Sequence, residues 1–198
     1  MNQRASSYFK CLGDLLLSMQ VTGGKGIVLP LDEGASKAFE IVLSVQSNSG
    51  KVMVIGNGGS AAIASHMQND LCKAAGMRAM VFDQIPLLTA LSNDDGYGCI
   101  YERPVELWAE AGDLLVAISS SGKSENILRA VRAAAARGCQ IITLSGFDSD
   151  NPLRRLGDVN FYVSSSEYGY VESAHSVITH FLTDHAMRLQ REKEDSRD

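Results

Sequence analysis

The sequence predicts a doubly wound α/β fold: a five-stranded parallel sheet, helices on both of its faces, and a helical extension in front. Three observations carry that expectation. From residue 51 onward, short β-branched runs, "KVMVIG", "RAMVFD", "DLLVAIS", "QIITLSG" and "VNFYVS", alternate with helical segments. Several of these runs are almost continuously apolar, as strands covered on both faces must be. Two of them, "KVMVIG" and "DLLVAIS", lead into a glycine- or serine-rich loop and then into a helical pattern. That construction sets a loop and a helix N-terminus at the carboxyl edge of a parallel sheet.

Taken in order, residues 2–20 pattern as an amphipathic helix, with Phe9, Leu12, Leu15, Leu16 and Met19 recurring at three-and-four spacing. "VTGGKG" breaks it. A second helix, Asp32 to Gln46, places Ala38, Ile41, Val42 and Val45 on one face and ends at "SNSGK". Both helices are expected to precede any strand, with residues 1–50 packing on the core or in an oligomer. "AVRAAAARG" is a strong helix former closed by Gly138, between the third and fourth strands. The last helix is expected over Val171 to Gln190, and the charged tail "REKEDSRD", residues 191–198, is expected to fray in solvent. At 198 residues, 45% of them hydrophobic, the chain has material for one complete core, so residues 1–198 read as a single domain.

Composition narrows the function classes. The formal charge is −5 and the basic residues are scattered rather than gathered into a stripe, which argues against direct nucleic-acid binding. Cys11, Cys72, Cys99 and Cys139 form no C-x-x-C pair and read as reduced, small hydrophobes of a cytosolic protein. No apolar stretch approaches ~20 residues and no signal-peptide pattern stands at the start, so a cytoplasmic location without membrane attachment is expected.

The first loop, "GNGGSA", fits the loose dinucleotide fingerprint through Gly56, Gly58 and Ala61, with Asp83 near the end of the next strand. A glycine turn after a buried strand also serves any close backbone approach, so the match is weak. The second loop decides against it. "SSSGKS" brings Ser119, Ser120, Ser121 and Ser124 to the start of a helix, where hydroxyls and free backbone amides together favour an anion. A single serine there would be an ordinary N-cap. Four within six positions, facing a second glycine loop, make a phosphate crevice, and no nucleotide cofactor is expected.

"GNGGS" followed by a helical histidine, then "SNDDGY", then "SSSGKS", and finally His175 and His180 in the last helix, resemble the sugar isomerase (SIS) domain and within it the phosphoheptose isomerase group. The resemblance spans nearly the whole chain. It implies a flavodoxin-like sheet, isomerisation of sedoheptulose 7-phosphate to a heptose 7-phosphate, a homotetramer with active sites between subunits, and a zinc ion. By the same resemblance, Asp70 stands at the position of the catalytic base and His180 at that of its acid-base partner. Asn57, Gly58, Ser60, Asn93, Asp94, Ser119, Ser120, Ser121, Ser124 and Glu172 lie near substrate, and His66, Asp70, Glu172 and His180 form the metal set. His66 and Asp70, four apart on one helix, share a face whatever their role. His175 and His185 read as structural or surface residues.

The chain departs from the family at three places. Asp70 stands where glutamate is usual, Glu172 where glutamine is usual, and "GYVES" replaces "D-R-I-Q-E", leaving Gly169 or a neighbour at an aspartate position. Aspartate withdraws the carboxylate by roughly 1.5 Å, so either the pocket moves to compensate or this acid binds metal without taking the proton. Glu172 and His180 in one unbroken helix would stand about 12 Å apart along its axis, so either the helix begins after Glu172 or the site mixes residues of two subunits, and the resemblance implies the second. Two other readings compete with the isomerase: an SIS scaffold like those that associate with the bacterial replication initiator, and an isomerase of another sugar phosphate.

Overall fold

A computed structural model describes residues 4–195 of the chain. Helix α1 (Ala5–Leu17) is followed by strands β1 (Gln20–Gly23) and β2 (Val28–Leu29) and helix α2 (Leu31–Ser47). Next come β3 (Val52–Gly56), α3 (Gly59–Lys73), β4 (Ala79–Val81), α4 (Ile85–Asp94), α5 (Glu102–Trp108), β5 (Leu114–Ser119) and α6 (Glu125–Ala136). Strands β6 (Gln140–Ser145) and β7 (Val159–Tyr162) complete the sheet before the long helix α7 (Tyr168–Asp195).

The sheet order is β2-β1-β7-β6-β5-β3-β4. Its five parallel strands are the five runs expected from the sequence, and counted among themselves they follow the order 2-1-3-4-5 of the flavodoxin-like sheet. The sheet has seven strands rather than five. The additional pair, β1 and β2, is antiparallel and joins the edge of β7, with Val21 opposite Phe161. It occupies the stretch that "VTGGKG" marks as a mere break, so a strand does precede the second helix. Two residues of ladder interrupted by glycines carry no periodicity to detect, and β1 exists because β7 offers it a partner.

Both sheet faces are apolar, which explains the nearly continuous runs. Val52, Val54, Leu114, Val116 and Ile118 pack against α2, α3 and α7, whereas Met53, Ile55, Leu115 and Ala117 pack against α5 and α6. Alternation persists, with an apolar layer waiting on either side. Helix α1 ends at Leu17 rather than residue 20, and of its expected apolar face Leu12, Leu15 and Leu16 pack beside the start of α7, while Phe9 is exposed. Helices α4 and α5 had no sequence expectation. Helix α7 starts three residues before and ends five residues after its expected bounds, so residues 191–195 of the charged tail are helical, and residues 196–198 lie outside the described residues. Among the described residues, no helix is long and apolar enough to cross a membrane.

His175 is fully buried on α7, and its Nε2 lies 3.2 Å from the Ser145 carbonyl at the end of β6. The ring therefore donates through Nε2, and its Nδ1 has no partner among the described residues. Burial pushes its pKa down from 6.5 to about 4, against the opposing pull of the Ser145 carbonyl. Between those two values the unfolded chain takes up a proton that the folded chain refuses, so stability present above pH 6.5 is lost as pH falls toward 4. The full effect is on the order of 3 kcal/mol. His175→Gln, which keeps a donor and cannot titrate, should show a flatter acid-side decline; urea unfolding midpoints at about pH 7.5 and 4.5 measure it.

Candidate active site

The reversal in strand order falls between β3 and β5, and their following loops open a crevice at the carboxyl ends of the strands. A cavity of about 240 Å³ lies there, lined by Asn57 to Ser60 from the first loop, by Ser119, Ser120, Ser121 and Ser124 from the second, and by Tyr168 and Glu172 of α7. The N-termini of α3 and α6 both border it, each bringing the positive end of a helix and neither closed by a side-chain capping bond. Gly58 is the N-cap of α3 at φ 55°, a left-handed conformation that a side chain would strain.

The serine loop is shaped largely from within. The Gly122 amide donates to Ser119 Oγ at 3.2 Å, and Ser119 Oγ lies 3.4 Å from Ser124 Oγ. Ser124 is the N-cap of α6, yet its side chain makes no capping bond. Ser120 is 5% exposed, and its hydroxyl has no partner among the described residues. A buried unpaired hydroxyl costs roughly 1–3 kcal/mol, and Ser120 is among the residues that line the cavity. Lys123, the cation of the loop, turns to Asp148 at 2.9 Å and does not line the cavity.

A group that sequence reasoning missed ties the two loops together. Asn126, 2% exposed in the first turn of α6, exchanges two amide hydrogen bonds with Asn57, at 2.8 and 3.0 Å. The Tyr97 hydroxyl donates to the same Asn57 Oδ1 at 3.0 Å, and the Tyr101 hydroxyl donates to the Gly56 carbonyl. Burial, with Tyr97 and Asp83 nearby, pushes the Tyr101 pKa up to about 12, so it stays a donor. Asn126 could have been singled out as a polar residue inside the apolar pattern of its helix.

The second cluster lies along the seam between α3 and α7. Asp70 Oδ2 is 3.4 Å from His66 Nε2 and 3.5 Å from His180 Nδ1, and the two imidazole rings stand edge to face at 4.9 Å. One ligand atom from each of the three lies within 4.8 Å of the others. Ligands about 2.0–2.1 Å from a tetrahedral ion stand roughly 3.3 Å apart, so two imidazoles and a carboxylate at this spacing fit a zinc-type ion. Glu172 does not join them. Its carboxylate lies against Gly59, where both oxygens would stand 2.5 Å from an added Cβ. Because α7 is unbroken from Tyr168, Glu172 is two turns from His180 on the same helix. Asn93 and Asp94 sit at the end of α4 rather than in a loop; they are exposed, hydrogen-bonded to each other at 2.7 Å, and outside the cavity lining.

Residues 27–146, which include both loops and the His66–Asp70 pair, match the SIS domain family. The phosphoheptose isomerase of Aliarcobacter butzleri is 34% identical over 162 residues, 79% of this chain and 85% of the relative. The chain belongs to the SIS family, in its phosphoheptose isomerase group. Two solved structures agree with that placement. The phosphoheptose isomerase GmhA from Neisseria gonorrhoeae superposes with a TM-score of 0.72 at 31% identity over 78% of this chain and 85% of that one. The enzyme from Francisella tularensis superposes at 0.80 with 27% identity, over 92% and 96%.

In this SIS chain the Asn57–Asn126 pair should hold the two loops in register. Asn126→Leu, which strands the Asn57 amide, is expected to cost about 2 kcal/mol, roughly 5 °C in Tm at this chain length, and to weaken binding of inorganic phosphate. Thermal melts with and without phosphate read both effects.

Proposed function

We propose that the chain is a cytoplasmic phosphosugar aldose-ketose isomerase that converts sedoheptulose 7-phosphate to D-glycero-D-manno-heptose 7-phosphate. The observation that carries this reading is the cavity bordered by two helix N-termini and lined by Ser119, Ser120, Ser121 and Ser124. The group of relatives, all bearing the phosphoheptose isomerase name among those cited, supports the heptose assignment.

In this reading the serines and the first turn of α6 take the phosphate. Isomerisation moves a proton between neighbouring carbons through an enediol, which needs a base over the carbon and an acid near the oxygens. Asp70 and His180 are the pair that exchanges these protons, and Asp70 has a second oxygen free of the imidazoles, turned to Asn69 at 3.3 Å. His66, Asp70 and His180 are the zinc ligands; the ion, when bound, polarises the carbonyl and stabilises developing negative charge. His66 and His180 lie seven and eight helical residues, roughly 10–12 Å, along α3 and α7 from the Gly59–Glu172 contact, and Asp70 lies eleven residues, roughly 16–17 Å, from Gly59. That separation supports a homotetramer whose sites pair the loops of one subunit with the seam of another.

Metal-stripped protein incubated with sedoheptulose 7-phosphate, with and without zinc, and followed by NMR tests the reading. Zinc-dependent aldose formation is expected, and Asp70→Asn should lower kcat at least about 100-fold while leaving inorganic phosphate binding in place. Absence of both binding and turnover in the zinc-loaded wild type would overturn it.

A further inference from the structure

The phosphate cavity carries a formal charge at one end. Among its described lining residues Glu172 is the ionisable carboxylate, and no lysine or arginine lines it. Glu172 makes no ion pair among the described residues, and its carboxylate lies against Gly59, the first residue of α3. An acid there is favoured by the helix dipole. The absence of a side chain at Gly59 makes the approach possible, since a Cβ would meet both carboxylate oxygens at 2.5 Å. Thus the protein's own anion sits at the start of α3. The other end remains open, with Ser124 making no capping bond and Ser120 Oγ unpartnered.

We propose that Glu172 is a specificity-determining residue that limits this site to sugar monophosphates whose remaining end is uncharged or cationic, and rejects ligands with a second anion. The inference rests on the phosphosugar reading of the same cavity and adds the substrate class to it. A phosphate seated on Ser119 to Ser124 leaves the rest of the sugar facing Glu172, which accepts hydrogen bonds from hydroxyls or an ammonium. A second phosphate or a carboxylate at that end meets a like charge across a few ångströms of a partly enclosed cavity, where solvent screening is weak. The two helix N-termini would otherwise make the crevice a natural bisphosphate site. Glu172 fills one of the two positions.

The test measures, by calorimetry on the full chain, binding of sedoheptulose 7-phosphate and sedoheptulose 1,7-bisphosphate to wild type, Glu172→Gln and Glu172→Asp. Wild type is expected to favour the monophosphate by about tenfold or more. Glu172→Gln, nearly the same shape without the charge, should shrink that preference at least about fivefold through tighter bisphosphate binding, and Glu172→Asp should retain it. Monophosphate binding with the same preference in wild type and Glu172→Gln overturns the role of Glu172 and leaves the phosphosugar reading standing. Failure of wild type to bind either compound overturns both.

Discussion

Because β3 pairs in parallel with β5 on one side and with β4 on the other, the chain leaving β3 and the chain leaving β5 emerge side by side and then diverge. Helix α3 crosses to the face it shares with α2 and α7, and α6 to the face it shares with α5. A crevice must open between two loops that leave in opposite directions, and both helices must start at its rim. Everything chemical in the site follows from that pairing. Ser120 is buried because its loop is the direct continuation of the buried strand β5, and Asn126 can reach Asn57 because their loops begin on hydrogen-bonded neighbours. The amide pair then closes across the crevice as a brace.

How much of this was legible in the sequence depends on whether a feature is local. The five parallel strands were legible because each is a run long enough to be apolar on both faces, and the serine loop because four hydroxyls crowd into six positions. Strands β1 and β2 were not, since "QVTG" and "VL" owe their extended form to β7 rather than to their own pattern. The same distinction holds inside the site. His66 and Asp70 share a helix face by spacing alone, whereas the place of Glu172 against Gly59 depends on how α7 lies across α3, which no spacing records. Asn93 and Asp94 show the opposite error: an Asn-Asp-Asp-Gly string has the composition of a turn, but α4, packed through Leu88 and Leu91, continues to Asp94.

Glu172 and His180 illustrate why one helix can serve two stations without joining them. Both belong to α7, and both face α3, Glu172 against its first residue and His180 against its third turn. The two helices therefore run alongside each other from the crevice downward, and their seam carries a charged group at the top and the His66–Asp70–His180 group below. A rigid seam holds these stations at a constant separation, since neither helix is broken between them. Bringing the lower group to a phosphate-anchored sugar by bending would cost the intervening hydrogen bonds of both helices.

The acid at position 70 lies on the same seam. A carboxylate drawn back by one methylene would lose a distant partner, but Asp70 is 19% exposed at the seam, with one imidazole on its own helix and the other on the helix packed directly against it. Its Oδ2 reaches both rings at nearly equal distances, 3.4 and 3.5 Å, longer than a good hydrogen bond and close to the spacing of donors around a shared ion. Direct hydrogen bonds would draw the three groups together and leave no room between them. The two distances show how close the packing of α3 on α7 brings the acid to both rings, one on its own helix and one on the neighbouring helix.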